Sequence, residues 1–158
     1  VQVQLSTYAI LEQFMHYYQD ELYDYVNSLE MDEYGNYIYE GLEEYVMNPD
    51  LRAFLIYDED RYKGFVLINK GHYIPKGYDY SIQEFYVAKP YRHQRIASRI
   101  LKAIFEHYKG KFFIMQLEKN VPAIRFWHRY LDSEEISYVE KRQIIDGESC
   151  LTQTFLII

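Results

Sequence analysis

Cysteine occurs once in this chain, at Cys150, so neither an intrachain disulfide nor a cysteine-rich zinc site can be built. A reducing, cytoplasmic setting is expected. Cations are in deficit: 17 Lys and Arg against 24 Asp and Glu leave a formal net charge of -7. That argues against nucleic acid as a partner, because duplex binding needs an extended cationic face, and it suits a cationic substrate. No apolar run approaches the roughly 20 residues of a bilayer span, so no membrane association is expected. The opening Val1-Gln2-Val3-Gln4-Leu5-Ser6 lacks the charged-then-apolar layout of a signal peptide. There is no GxxxxGK loop for a nucleoside triphosphate. His16, His72, His93, His107 and His128 show no ligand spacing, so no metal is expected. Repeats, low-complexity tracts and linkers are also missing, and 158 residues fit one domain, 1–158.

What the chain has in abundance is tyrosine, 19 residues, with Tyr17, Tyr18, Tyr23, Tyr25, Tyr34, Tyr37, Tyr39 and Tyr45 all in its first third. Such rings pack at core edges with their hydroxyls toward water, or line a cleft that takes an amine by cation–π contact.

Apolar positions recur in steps of three and four from Leu11 to Leu29, which predicts a long amphipathic helix over about 8–29. A loop at Met31 to Tyr37 and a short helix around Tyr39 to Met47 follow, the latter closed by Asn48-Pro49. The period then changes. Ala53 to Tyr57 and Gly64 to Ile68 read as a hairpin about Asp58-Glu59-Asp60, and Tyr80 to Val87 as the next strand. A helix from Ile96 to Tyr108 ends at Gly110. The apolar run Phe112 to Leu117 suggests a strand buried on both faces. Asn120 and Pro122 open a helix to about Leu131. Two strands, near 136–145 and 151–158, close the chain about Asp146-Gly147. The expected fold is α/β (α+β): a mixed, mostly antiparallel sheet flanked by about four helices, in the order ααβββαβαββ, with one strand–helix–strand crossover.

The most telling stretch is Gln83 to Leu131. A strand, Gln83-Glu84-Phe85-Tyr86-Val87, runs into the basic turn Lys89-Pro90-Tyr91-Arg92-His93-Gln94-Arg95-Ile96-Ala97-Ser98 and then into a helix. A helix N-terminus approached by cations is an anion-binding device. Arg92-His93-Gln94-Arg95-Ile96-Ala97 resembles the Gln/Arg-x-x-Gly-x-Gly/Ala cofactor motif of the GCN5-related N-acetyltransferases, with Arg95 in place of the first glycine. Asn120-Val121-Pro122-Ala123-Ile124-Arg125-Phe126-Trp127 resembles that family's Asn-x-x-Ala-x-x-Phe-Tyr pattern, with Trp127 at the tyrosine position. The element order carries the likeness over nearly the whole chain.

The resemblance implies an N-acetyltransferase that moves the acetyl group of acetyl-CoA, as co-substrate, to an amine. The acceptor class is a small cationic molecule, with a peptide amine left open. A non-catalytic acyl-CoA sensor on the same fold is the alternative, motivated by Arg95 and Trp127. It also implies that the amides of Gln94, Arg95, Ile96, Ala97 and Ser98 meet the diphosphate, with Arg92 the leading side-chain candidate and His93 beside it. Phe85, Tyr86 and Val87 line the cofactor arm, and the Val87 amide polarises the thioester carbonyl. Asn120 caps its helix and contacts the arm, while Phe126 and Trp127 wall the groove. Glu84 is the candidate general base, provided that burial or a water relay lifts its pKa. Tyr130, one helical turn beyond Trp127, is the candidate proton donor to the departing thiolate. Homodimers are common in this family.

Overall fold

The computed structural model describes residues 1–26 and 28–158. Helix α1 spans Tyr8–Leu22 and α2 is the single turn Glu44–Met47. Strands β1 (Leu51–Asp58), β2 (Arg61–Asn69) and β3 (Tyr80–Val87) follow, then α3 (Ile96–His107), β4 (Gly110–Leu117), α4 (Val121–Ser133), β5 (Tyr138–Ile145) and β6 (Glu148–Ile157). The strands form one six-stranded sheet in the order β1-β2-β3-β4-β6-β5. β3 runs parallel to β4 at Tyr80 and Ser81, and β6 runs antiparallel to both β4 and β5. The chain divides into two compact units, Val1–Ile68 with Glu84–Ile96, and Asn69–Gln83 with Ala97–Ile158.

In the first unit, α1 buries Leu11 and Met15. β2 is buried continuously from Lys63 to Asn69, which fits its run Gly64-Phe65-Val66-Leu67-Ile68. Tyr18 of α1 sets its ring edge-on to Phe65 at 5.8 Å, and Tyr86 of β3 lies 6.0 Å from Phe65. The β1–β2 turn places Glu59 and Asp60 at φ 50° and 59°, a conformation that Asp tolerates better than most residues. Gly64 sits against the backbone of β3, where a Cβ would lie 2.0 Å from the Tyr86 carbonyl oxygen. Gly64→Ala is therefore expected to push the two strands apart at a cost of about 1–3 kcal/mol; a lowered urea midpoint with unchanged slope checks this.

In the second unit, α3 lays Phe105 against Phe112 of β4 and Phe155 of β6, at 5.0 Å and 5.7 Å. Phe112 and Phe155, direct partners across the antiparallel ladder, stack at 5.5 Å. Helix α4 buries Ile124, Trp127, Tyr130 and Leu131.

Three expectations change. The helix read over 8–29 ends at Leu22, where hydrogen bonding tightens: Asp24 and Tyr25 donate to Glu21 and Leu22, three residues back rather than four. Tyr25, the last turn residue, and Val26 after it keep the apolar period and are half-buried, and Asn27 lies outside the described residues. The second helix is one turn, so Tyr39 belongs to the irregular segment before it. β4 is not buried on both faces. Phe112, Ile114 and Gln116 are inward, while Met115 is 41% exposed, the alternation of a strand covered on one side.

Candidate active site

Side chains alternate along β3, so Glu84 and Tyr86 share one face and Phe85 and Val87 the other. The face bearing Glu84 meets α1. Tyr18 donates its hydroxyl to Glu84 Oε2, and Tyr39 donates to Oε1 at 3.3 Å. Glu84 keeps part of its surface open to solvent while lying deep among apolar rings. Burial pushes its carboxyl up, the two phenols pull it partly back down, and the net value is about 7. Burial and the neighbouring carboxylate raise both phenols above the ordinary tyrosine range, so they stay protonated and serve as fixed donors. The result is a desolvated yet reachable carboxylate whose pKa lies nearer to an alkylammonium, near 10, than an ordinary glutamate at about 4.3.

At the end of β3 the Ala88 amide donates to Lys63 O at 2.8 Å. Amides of successive strand residues face opposite edges, so the Val87 N–H points away from β2. Phe85 is half-buried. Tyr86 is buried, its ring 5.9 Å from Tyr18 and 6.3 Å from Phe14. The Tyr86 ring thus packs the core, and only its backbone remains for a ligand.

The basic turn opens on a single 3₁₀ turn, Lys89–Tyr91. His93 and Arg95 both adopt left-handed backbone, φ 63° and 59°. That is a physical reason for glycine at the Arg95 position in the motif it resembles, since a Cβ costs about 1–2 kcal/mol there. The chain turns the same way with arginine, whose side chain is exposed, as are His93 and Gln94. Ile96 is buried as the first residue of α3. The opening N–H groups of a helix have no intrahelical acceptor, and in α3 these belong to Ile96, Ala97 and Ser98. Arg95→Gly is expected to stabilise the protein by up to about 1 kcal/mol, about 2–4 °C in Tm; thermal melting checks this.

Arg92 does not stand free for phosphate. Its Nε donates to Val87 O at 2.7 Å, and a terminal nitrogen reaches both Glu21 carboxylate oxygens at 2.9 and 2.8 Å. Its guanidinium lies 5.4 Å from the centre of the Tyr86 ring. The leading side-chain candidate from the sequence is therefore committed to the fold. Lys89 and Lys102 are exposed, as solvated cations are.

In the second unit, Asn120 caps α4, its side chain accepting from the Ala123 amide at 3.3 Å. Phe126 is half-buried, and Trp127 is buried with its ring 5.6 Å from Phe126. Tyr130 is 4% exposed, with Phe105, Phe126 and Trp127 around its ring. Burial, then Glu134, raises its phenol to about 12. A phenol that weak is a poor proton donor to a thiolate whose conjugate acid lies near 8.5, and the rings of Tyr130 and Trp127 both pack in the core.

The first unit also holds a cavity of about 620 Å³ beside α1, whose lining includes Tyr8, Glu12, Asp32, Tyr37, Tyr39 and Glu43. His16 lines it too, and the buried Nδ1 of His16 has no hydrogen-bond partner among the described residues. Tyr39 belongs to both this lining and the Glu84 cluster. The abundance of tyrosine was visible in the sequence, but no spacing marked Tyr18, Tyr39 or Glu21 as partners of Glu84 and Arg92.

Among the described residues no group of histidine, cysteine and carboxylate side chains is arranged to hold a metal, and no helix is long and apolar enough to cross a membrane. A sequence model described as the Acetyltransferase (GNAT) family matches residues 11–132. Among curated protein sequences, none matches the chain. Similar solved structures include an acetyltransferase from Thermus thermophilus, 13% identical, covering 98% of this chain and 93% of that one at a TM-score of 0.71. Another is the histone acetyltransferase HPA2 and related acetyltransferase from Corynebacterium glutamicum, 9% identical, covering 100% and 95% at 0.71. A Bacillus anthracis protein solved in complex with acetyl coenzyme A is 15% identical, covering 73% and 68% at 0.56.

Proposed function

The chain belongs to the GNAT acetyltransferase family, and from that membership we propose that residues 1–158 act as one domain moving the acetyl group of acetyl-CoA directly onto the amine of a small cationic acceptor. The observation that carries this reading is Glu84, a buried carboxylate near neutral pKa held by Tyr18 and Tyr39.

Acetyl-CoA supplies the activated acetyl thioester. The chain fits it in two respects. The left-handed turn at His93 and Arg95 delivers the backbone into α3 with its opening amides uncommitted within the helix, the arrangement that favours a diphosphate. The Arg95 side chain is exposed, so it can pair with a phosphate from outside the turn. The Bacillus anthracis neighbour, which holds acetyl coenzyme A, supports the same assignment at the level of fold. In this reading the backbone from Gln94 to Ser98, where the turn enters α3, holds the diphosphate, and the Val87 amide is a fixed donor for the carbonyl oxygen as charge develops on it.

Glu84 takes the proton that an ammonium must lose before its nitrogen can attack. The phenols of Tyr18 and Tyr39 keep the carboxylate oriented and donate only to it. No covalent acyl-enzyme is invoked. Cys150 is 1% exposed in β6 and burial raises its thiol, so it makes a poor nucleophile. The acceptor class rests on the cavity that Tyr39 shares. Three carboxylates, Glu12, Asp32 and Glu43, and several tyrosine faces suit an organic cation.

The test is thiol release from acetyl-CoA against a panel of polyamines, amino sugars, peptide N-termini and lysine. Turnover concentrated on small polycations is the expected result. Tight coenzyme binding with no turnover on any amine would overturn the reading in favour of an acyl-CoA sensor.

A further inference from the structure

Helix α1 carries two residues, three apart, that reach β3 and the turn after it. Tyr18 donates to Glu84, and Glu21 holds the guanidinium of Arg92. Positions i and i+3 share one face of a helix, so one rigid segment touches both groups. Arg92 in turn bridges residues 87 and 92. Its Nε bond to Val87 O closes the 3₁₀ turn Lys89–Tyr91 into a staple. The staple fixes the Val87 carbonyl at one end and the entry to the left-handed turn at the other.

The chain accommodates a charged side chain at Arg92 with Glu21 as its partner, and both are only part-buried, with 33% and 29% of their side chains exposed. An ion pair this open contributes little to stability by itself. Its geometry is more specific than stability requires, because the guanidinium is held at three points: a carboxylate, a backbone carbonyl and the face of Tyr86.

We propose that Glu21 and Arg92 are positioning residues for the acetyl donor, and that α1 sets the spacing between the base and the donor turn. This rests on the acetyltransferase reading above. Glu21 fixes Arg92. Arg92 fixes the Val87 peptide and the path of the backbone into α3. Tyr18, on the same helical face, fixes Glu84. The pair touches neither substrate nor reacting atoms, and it acts through Val87 and the turn.

The inference predicts a split in the kinetic constants. Glu21→Gln and Arg92→Gln are each expected to raise the KM for acetyl-CoA about tenfold, with the KM for the amine unchanged. The double variant is expected to be no worse than Arg92→Gln, because both changes break one linkage. Arg92→Lys keeps the charge opposite Glu21 but lacks the planar fork that also serves Val87 O, so it is expected to recover less than half of the loss. Tyr18→Phe is expected to lower kcat while leaving the KM for acetyl-CoA unchanged. Calorimetric titration with acetyl-CoA accompanies each assay. If the wild-type protein turned over no amine, the acetyltransferase reading would fail, and the titrations would still decide the positioning role. Should Arg92→Gln fail to fold, Arg92→Lys decides. An unchanged acetyl-CoA affinity in Glu21→Gln and Arg92→Lys, or losses that simply add in the double variant, would overturn the proposal.

Discussion

Glu84→Gln is expected to lower kcat/KM for the amine about a hundredfold, within the range that a positioned general base contributes. The substitution keeps the shape and leaves one amide oxygen to accept from a phenol, turns the other bond around because the amide nitrogen can only donate, and removes the proton acceptor. The pH profile carries a second signature. A base at about 7 is protonated, and idle, below neutrality. The wild-type rate is therefore expected to rise through about pH 7 and then level, and the variant to lose that inflection. Stability moves in the opposite sense. The folded-state pKa of Glu84 lies above its unfolded value, so the folded protein binds more protons between roughly 4.5 and 7. Its contribution to stability is present below that window and is lost as pH rises through it. Melting at pH 5 and pH 8 should therefore show wild type losing Tm relative to Glu84→Gln. A variant of equal activity, or one with the wild-type inflection, would remove Glu84 from the mechanism.

Ala97→Glu is the second large effect. Ala97 lies in the first turn of α3, where the helix dipole favours a negative side chain by about 0.3–1 kcal/mol. The same carboxylate stands where the diphosphate is proposed to sit, and like charges brought together cost several kcal/mol. The expected outcome is a Tm equal to or slightly above wild type, with coenzyme A affinity reduced about a hundredfold. Opposite signs for stability and binding separate loss of the site from loss of the fold. Calorimetric titration with coenzyme A measures one and thermal melting the other. Retained affinity would place the diphosphate elsewhere.

Several elements were legible because they follow from local chemistry. Asn120 and Pro122 announced the start of α4, and the cap forms. Asp146-Gly147 announced the last hairpin, and both residues take positive φ there. The limits of β3 were readable because the loop with Gly71, Pro75 and Gly77 precedes it and the turn at Lys89-Pro90 follows it. The length of α1 was not, since its apolar period runs on into a turn and periodicity does not register where hydrogen bonding shortens.

The site divides along the same line. The basic turn, the strand before it and the helix after it are contiguous in sequence, so their order alone was enough to place the chain in its family. Glu84 was nameable as a carboxylate beside that turn, but its pKa depends on burial, which raises it, and on Tyr18 and Tyr39, 66 and 45 residues away, which lower it. Arg92 read as a phosphate ligand because its partner Glu21 lies 71 residues earlier. Tyr130 read as a proton donor because helical spacing gives an angle but not a depth of burial. Backbone conformation and helix ends are written in neighbouring residues, whereas desolvation and ion pairing arise only when distant segments pack. The sequence alone therefore determined the framework and the place of the basic turn, and tertiary structure decided which side chains are free to do chemistry.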